Sequence, residues 1–281
     1  MINELQMLHL DVRQGYIERA EPQVAERLEI VTQWWNRHEA GQPVPEAPNA
    51  ELLARAIIGA LNIALRIDAD KRDWAGALKK VDKVLEIERS ISRSPEYITT
   101  TRFDRAYILM ELPNHLDEAR DELEECSKHF HNVPDMRARA LTALANLAQK
   151  QGDFKSAIAQ ERRALVLHEQ LPNPYIRAGS HSNLANYLSQ RGTPADLKEL
   201  PLHRIASITY CVAAGLGQDL IDAMRGYSLD VRRAIAAGRD TTPPTVSEVI
   251  NTPGFSALSH WLDSRQINLE DLQAQADSFT E

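Results

Sequence analysis

Two stretches of this chain nearly copy each other: "LANLAQKQG", which ends at Gly152, and "LANYLSQRG", which ends at Gly192. From Leu144 to Leu184 the step is 40 residues. Each copy places leucine and alanine at the three- and four-residue spacing of a helix and then breaks at glycine, a residue free to adopt positive φ. A supersecondary unit that recurs at such a period cannot bury its apolar stripe alone, so its neighbours must stack on it. The chain is constrained first of all to be a helical repeat array.

The rest of the sequence fits that reading. Almost everything before residue 238 has helical periodicity, and β-branched alternation is nearly absent. Residues 1–40 form an N-terminal helical hairpin: a segment over about residues 2–20, then a helix through "VAERLEIVTQWWNRHEA" that stops at Gly41. Pro22 is expected in the first turn of that second helix, where its missing N–H costs nothing. Residues 41–49 are a Pro-rich linker, "GQPVPEAP", read as a stiff connector with a PxxP-type ligand as the alternative.

Residues 50–216 carry four helix pairs. "AELLARAIIGALNIALRIDAD" precedes "DWAGALKKVDKVLEIERSI", and "TTRFDRAYILMEL" precedes "LDEARDELEECSKHF". "MRARALTALANLAQKQG" precedes "DFKSAIAQERRALVLHEQL", and "RAGSHSNLANYLSQRG" precedes "PADLKELPLHRIASITYCVAAG". Residues 217–281 add one helix capped by Gly238, a break at "RDTTPPT", and two or three short helices anchored by Phe255, Leu258, Trp261 and Leu262. This last segment is read as a cap for the array, or as a partner-docking tail.

The third pair resembles the tetratricopeptide repeat (TPR) over its full length. Leu144 and Ala145 stand where that motif wants a large and then a small residue. Gly152 and Asp153 make its turn, Phe154 takes the aromatic place, Ala157 and Ala164 are its small residues, and Pro172 closes the unit. Other units depart from the pattern: Leu65 stands where a small residue belongs, Arg72 replaces the glycine, "PNH" fills the second turn, and Pro201 interrupts the fourth pair. Small side chains at these positions let two helices approach closely while larger ones fill the grooves alongside.

The resemblance implies an all-α, right-handed α-solenoid with a C-terminal helical cap. It also implies that the first helix of each pair lines a concave groove for a protein or peptide partner. Carried over, the groove residues are Asn62, Arg66, Asp104, Glu111, Arg139, Thr142, Asn146, Lys150, Ser182, Asn186 and Gln190. Asn146 and Asn186 can bond both polar groups of an extended backbone, or they can stabilise the repeat itself. A groove asparagine is replaceable without loss of stability; a structural one is not. Of the basic cluster of the carboxylate-clamp TPR subgroup only Arg139 and Lys150 are present, so a chaperone C-terminus is not expected.

Bulk properties narrow the function classes. The 281 residues carry a net charge of −8 with arginines spread along the chain, which disfavours a nucleic-acid partner. The first residues do not read as a signal peptide, and the longest nearly uncharged run, "IASITYCVAAGLG", is too short to span a membrane, so a cytoplasmic protein is expected. Cys126 and Cys211 make neither a disulfide framework nor a zinc site.

Phosphate-binding and nucleophile-elbow motifs are missing, and "GLG" at residues 215–217 follows no strand. His129 and His131 point to different sides of a helix, so no metal is expected. The acidic "LDEARDELEE" reads as a solvated face or a dock for a basic partner. At most one of Trp34 and Trp35 can point into the core. A hydrolase built on Ser180, His181 or His260 is not expected, nor is any cofactor. The expected function is a non-enzymatic adaptor or regulatory subunit. The alternative is a ligand-responsive sensor that switches a separately encoded effector such as a protease or toxin.

Overall fold

A computed structural model describes residues 2–44, 49–239 and 241–278, with side chains to residue 274. Residues 45–48 of the Pro-rich segment read as a linker lie outside the described residues. Fourteen α-helices are described: α1 (Ile2–Arg13), α2 (Ile17–Glu39), α3 (Ala50–Asp70), α4 (Trp74–Ser90), α5 (Pro95–Leu109), α6 (Leu116–His129), α7 (Pro134–Lys150), α8 (Phe154–His168), α9 (Pro174–Arg191), α10 (Pro194–Ala214), α11 (Gly217–Ala236), α12 (Val246–Ile250), α13 (Ser256–Ser264) and α14 (Leu269–Ser278). Among the described residues there is no strand, and no helix is both long and apolar enough to cross a membrane. The chain divides into two compact units, Met1–His129 and Phe130–Glu281.

In the first unit, α1 to α4 share one core. Leu5, Leu8 and Val12 of α1 meet Val24, Val31 and Trp35 of α2, with Ile57, Ile63 and Ile67 of α3 and Val84 and Ile87 of α4. Trp35 is fully buried, and Trp34 packs half-buried on the edge of the same cluster. The turn into α2 comes at Gly15 (φ +86°), earlier than the sequence suggests. Pro22 therefore lies inside α2, beyond its first turn. Proline there removes one bond, to the carbonyl four residues back, and the buried face of α2 offsets the loss.

The joint between α3 and α4 shows how the repeat is closed. The Asp73 N–H reaches the Asp68 carbonyl at 2.8 Å, and the Asp73 carboxylate accepts the Gly76 N–H at 3.0 Å. Between α7 and α8 the same two bonds recur, Asp153 N–H to Ala148 at 2.9 Å and Ser156 N–H to Asp153 at 3.0 Å. Gly152 adopts φ +76°, and Arg72 adopts φ +61° in the same place. One joint is thus built twice, once with a side chain that pays for left-handed backbone.

The acidic run of α6 faces α5 in part. Arg105 of α5 contacts Glu118 at 2.6 Å and Glu122 at 3.3 Å, and Asp82 of α4 at 2.6 Å. Burial of Phe103, Leu109 and Leu123 accompanies these pairs.

The second unit pairs α7 with α8 and α9 with α10. Ala145 and Ala185 are fully buried, each beside the leucine that precedes it in the repeated phrase. α9 ends at Gly192 (φ +67°), and Thr193 with Asp196 forms a capping box that opens α10. α12, α13 and α14 pack on α10: Val249, Phe255, Leu258, Trp261 and Leu262 are buried together with Ile205, Ile208 and Tyr210.

Candidate functional site

The polar positions on α7, α9 and α11 are drawn into one hydrogen-bonded ladder within the second unit. The Tyr187 hydroxyl donates to Asn146 Oδ1 at 2.6 Å, and Gln149 Nε2 donates to Gln190 Oε1 at 3.3 Å. These bonds fix α7 in register with α9. One step on, Arg204 of α10 donates through Nη2 to Asn186 Oδ1 and through Nε to Asp230 Oδ2, both at 2.7 Å. Ser189 donates to Asp230 Oδ1 at 2.7 Å, and Arg233 donates to Ser189 at 2.9 Å.

Room for Arg204 comes from Gly226, 40 residues beyond Asn186. A Cβ there would lie 2.7 Å from Arg204 Nη1. Asn146, Asn186 and Gly226 thus recur at 40-residue steps in α7, α9 and α11, and the guanidinium lies where a side chain at Gly226 would stand. Arg204, Asp230 and Tyr187 were not singled out from the sequence; the 40-residue step from Asn186 to Gly226 was the signal that locates them.

The sequence-derived groove residues divide between the units. In the second, Arg139, Lys150 and Gln190 are exposed, while Thr142, Asn146, Ser182 and Asn186 are half-buried on α7 and α9. The ladder brings Asn146 and Gln190 to the α7–α9 seam and gives Asn186 to Arg204. In the first unit, Asn62 and Arg66 are exposed on α3. Asn62 lines a groove of about 580 Å³ with Leu5, Gln6 and His9 of α1. His9 is held below its ordinary pKa by burial and then by Arg13 and Arg66. Asp104 is exposed on α5, and Glu111 lies in the turn that follows.

Ser180 and His181 take structural partners. Ser180 Oγ lies 2.6 Å from His168 Nδ1, and His181 Nδ1 lies 2.8 Å from His203 Nδ1. His181 is sealed between the Tyr210 and Phe255 rings, and burial, then His203 and Arg177, keep it neutral. His260 is exposed on α13. Close to Ser180 lies Glu161, fully buried, whose carboxyl is pushed up to about 7 by burial. Thr142, Ser180 and Asn183 pull its acidity part of the way back, yet neither Glu161 oxygen reaches hydrogen-bonding geometry with them. Burial likewise pushes the Cys126 and Cys211 thiols up to about 12, which leaves both unreactive in the folded chain.

At the α11 end of the ladder a cavity of about 110 Å³ opens between α9, α10, α11, Arg239 and residues 241–243. Leu200, Pro201, Tyr227 and Val231 form its apolar walls, and Arg233 and Arg239 bring positive charge to it.

Comparison with known proteins adds the fold. No protein-family model matches the chain, and no curated protein matches it in sequence. Among solved structures it is similar to BtubC (BKLC) from P. vanneervenii, with a TM-score of 0.61, 14% sequence identity, and coverage of 93% of this chain and 92% of that chain. At that identity the likeness is one of fold: a chain of helices packed neighbour on neighbour.

Proposed function

We propose that this chain is a non-enzymatic protein–protein interaction module of the cytoplasm, an adaptor or regulatory subunit. In this reading its helix pairs stack as a right-handed TPR-like solenoid, the residues after 217 cap it, and the face formed by first helices holds a partner peptide or helix. The observation that carries the reading is the register of α7 on α9. Asn146–Tyr187 and Gln149–Gln190 lock two first helices side by side, leaving Lys150 and Gln190 at the surface of one polar strip.

A photo-crosslinking amino acid placed at Lys150 or Gln190 should capture a discrete partner in cells. The same probe at Lys155, exposed on the second helix of the pair, should not. Equal capture at all three positions would defeat the reading.

A second reading, a ligand-responsive sensor that switches a separately encoded effector, is favoured by the cavity at the end of the ladder. A ligand there would touch α9, α10 and α11 at once, and so bear on how successive helix pairs meet. A change in scattering radius on ligand binding would separate the sensor from the bare adaptor.

A further inference from the structure

Where the C-terminal helices sit on α10, they cover a pair of histidines. His181 of α9 is fully buried, and His203 of α10 is 5% exposed. Phe255, just before α13, lies against both rings, stacked on His181 at 5.6 Å and tilted on His203 at 5.0 Å. Tyr210 closes the other side of His181 at 5.8 Å. Phe255 belongs to the apolar cluster that also holds Val249, Leu258 and Trp261. The pair is thus part of the surface on which this segment docks.

The hydrogen bonds assign the proton of each ring. Glu199 is held below its ordinary pKa first of all by its bond to His203, so its carboxylate only accepts. His203 Nε2, 3.1 Å from Glu199 Oε1, therefore carries a hydrogen. A neutral His203 is left with a lone pair on Nδ1, and His181 Nδ1–H donates to it across 2.8 Å. His181 Nε2 keeps a lone pair that has no hydrogen-bond partner among the described residues.

A further proton finds no good place. On His203 Nδ1 it would meet the His181 Nδ1–H head-on, and on His181 Nε2 it would create a buried cation without an acceptor. Burial lowers both imidazoles first of all. Arg177 of α9 adds to this at His181, and Arg162 of α8 adds to it at His203, where Glu199 alone pulls the other way. Arg162 is itself bonded to Glu199 at 2.5 Å. Tyr210, pushed up to about 12 by burial, stays neutral, and the docked segment brings the uncharged Phe255 ring.

We propose that His181 and His203 form a proton-operated latch: neutral, they hold α12, α13 and α14 on α10; protonated, they release that segment and uncover Ile205, Ile208 and Tyr210. With the segment lifted, both rings meet water and return to the ordinary 6.5, so the undocked state takes up protons that the docked state refuses. Docking is at full strength above pH 6.5 and weakens as pH falls below it, by about tenfold per unit for one histidine. The latch goes beyond the adaptor reading and does not rest on it. It concerns α10 and the segment docked there, whatever the α7–α9 strip holds.

The test is hydrogen–deuterium exchange of the full chain at about pH 7.5 and about pH 5, corrected for intrinsic rates and read on residues 246–262 and on α7. At the lower pH the opening equilibrium of residues 246–262 should rise about thirtyfold or more, the worth of one histidine about 1.5 units below its ordinary value. Opening of α7 should change far less. The double variant His181→Gln/His203→Gln takes up no proton at either place and should cut the rise to about threefold or less. Should that variant not hold the segment even at the higher pH, an NMR titration of the parent's imidazole nitrogens decides, because their protonation should coincide with the loss of protection. The proposal is overturned if residues 246–262 exchange alike at both pH values, or if α7 opens by the same factor. It is overturned equally if the double variant keeps the parent's rise, or if both imidazoles protonate while residues 246–262 stay protected.

Discussion

Asn146 Oδ1 accepts the Tyr187 hydroxyl at 2.6 Å, and through that bond α7 holds α9 in register. Tyr187 is 1% exposed, so its hydroxyl has little access to water as a substitute. Asn146→Ala should therefore cost about 1–3 kcal/mol, the penalty for stranding a buried donor. Tyr187→Phe removes the donor itself and should cost less. In urea titrations the double variant should be no less stable than Asn146→Ala alone, because the second change removes the group that the first one stranded. Strictly additive losses would show that the two residues are not coupled. A groove asparagine with no structural duty predicts no loss in the first variant.

The repeated phrase made this fold legible. Leucine–alanine pairs at 144–145 and 184–185 with a glycine after each helix specify where helices cross and where they stop, and the buried Ala145 and Ala185 follow from that local grammar. The apolar anchors Phe255, Leu258, Trp261 and Leu262 were also legible, since large apolar residues in short helices have only the core to enter. What the residues did not disclose is pairing across distance. Arg204 looks like any helical arginine until Asp230, 26 residues on, and Asn186, 18 residues back, converge on it. Glu161 sits in a run of polar residues, "QERR", and reads as exposed, because a helix face is assigned by neighbours that lie elsewhere in the chain. The acids of "LDEARDELEE" read as a solvated face or a dock; Asp117, Asp121, Glu124 and Glu125 are exposed, while Glu118 and Glu122 also face Arg105 within their own unit.

Arg72 provides a test of the joint. It holds φ +61° where Gly152 holds +76°, in turns that share their hydrogen bonds. The left-handed region costs a residue with a Cβ about 1–2 kcal/mol, part of which is offset because glycine has more freedom to lose on folding. Arg72→Gly should raise stability by up to about 1 kcal/mol, and Gly152→Arg should lower it by a similar amount. Denaturant midpoints that shift in the same direction for both variants would mean that the two joints are not equivalent.

The buried acid Glu161 predicts a pH-dependent substitution. Unfolded, its carboxyl ionises near 4.5; folded, burial raises this to about 7. Between those values the folded chain keeps a proton that the unfolded chain has released, so the contribution of Glu161 to stability falls as pH rises through that window. At about 1.4 kcal/mol per unit, the full loss is about 3 kcal/mol above pH 7. His168, lowered to about 4 by burial, acts in the opposite sense and lowers stability as pH falls from 6.5 towards 4. The two oppose each other between about pH 4.5 and 6.5, and His181 and His203, also lowered by burial, add to the His168 side. Glu161→Gln should be more stable than the parent at pH 8 by a few kcal/mol, and the advantage should shrink below pH 5. An advantage that is constant with pH would show that Glu161 titrates alike in both states.

Gly226 and Gly179 should respond to alanine with opposite signs. Both lie inside helices, where alanine is ordinarily favoured over glycine by about 1 kcal/mol. At Gly179 an added Cβ meets nothing within 4 Å, so Gly179→Ala should be stabilising by about that amount. At Gly226 the Cβ would lie 2.7 Å from Arg204 Nη1 and 2.9 Å from its Cζ. That guanidinium cannot swing aside freely, because Asp230 and Asn186 hold it at 2.7 Å on two sides and it is 3% exposed. Displacing it from Asp230 uncouples a buried ion pair, a change worth about 3–5 kcal/mol when complete. Gly226→Ala should therefore destabilise the chain by about 2 kcal/mol or more despite its better helix propensity. Pairing it with Asp230→Asn, which releases the guanidinium to move, should make the alanine less costly than it is alone. If Gly226→Ala instead melts as high as Gly179→Ala, the space at Gly226 is not filled by Arg204, and the ladder from Asn186 to Asp230 does not hold α9, α10 and α11 together.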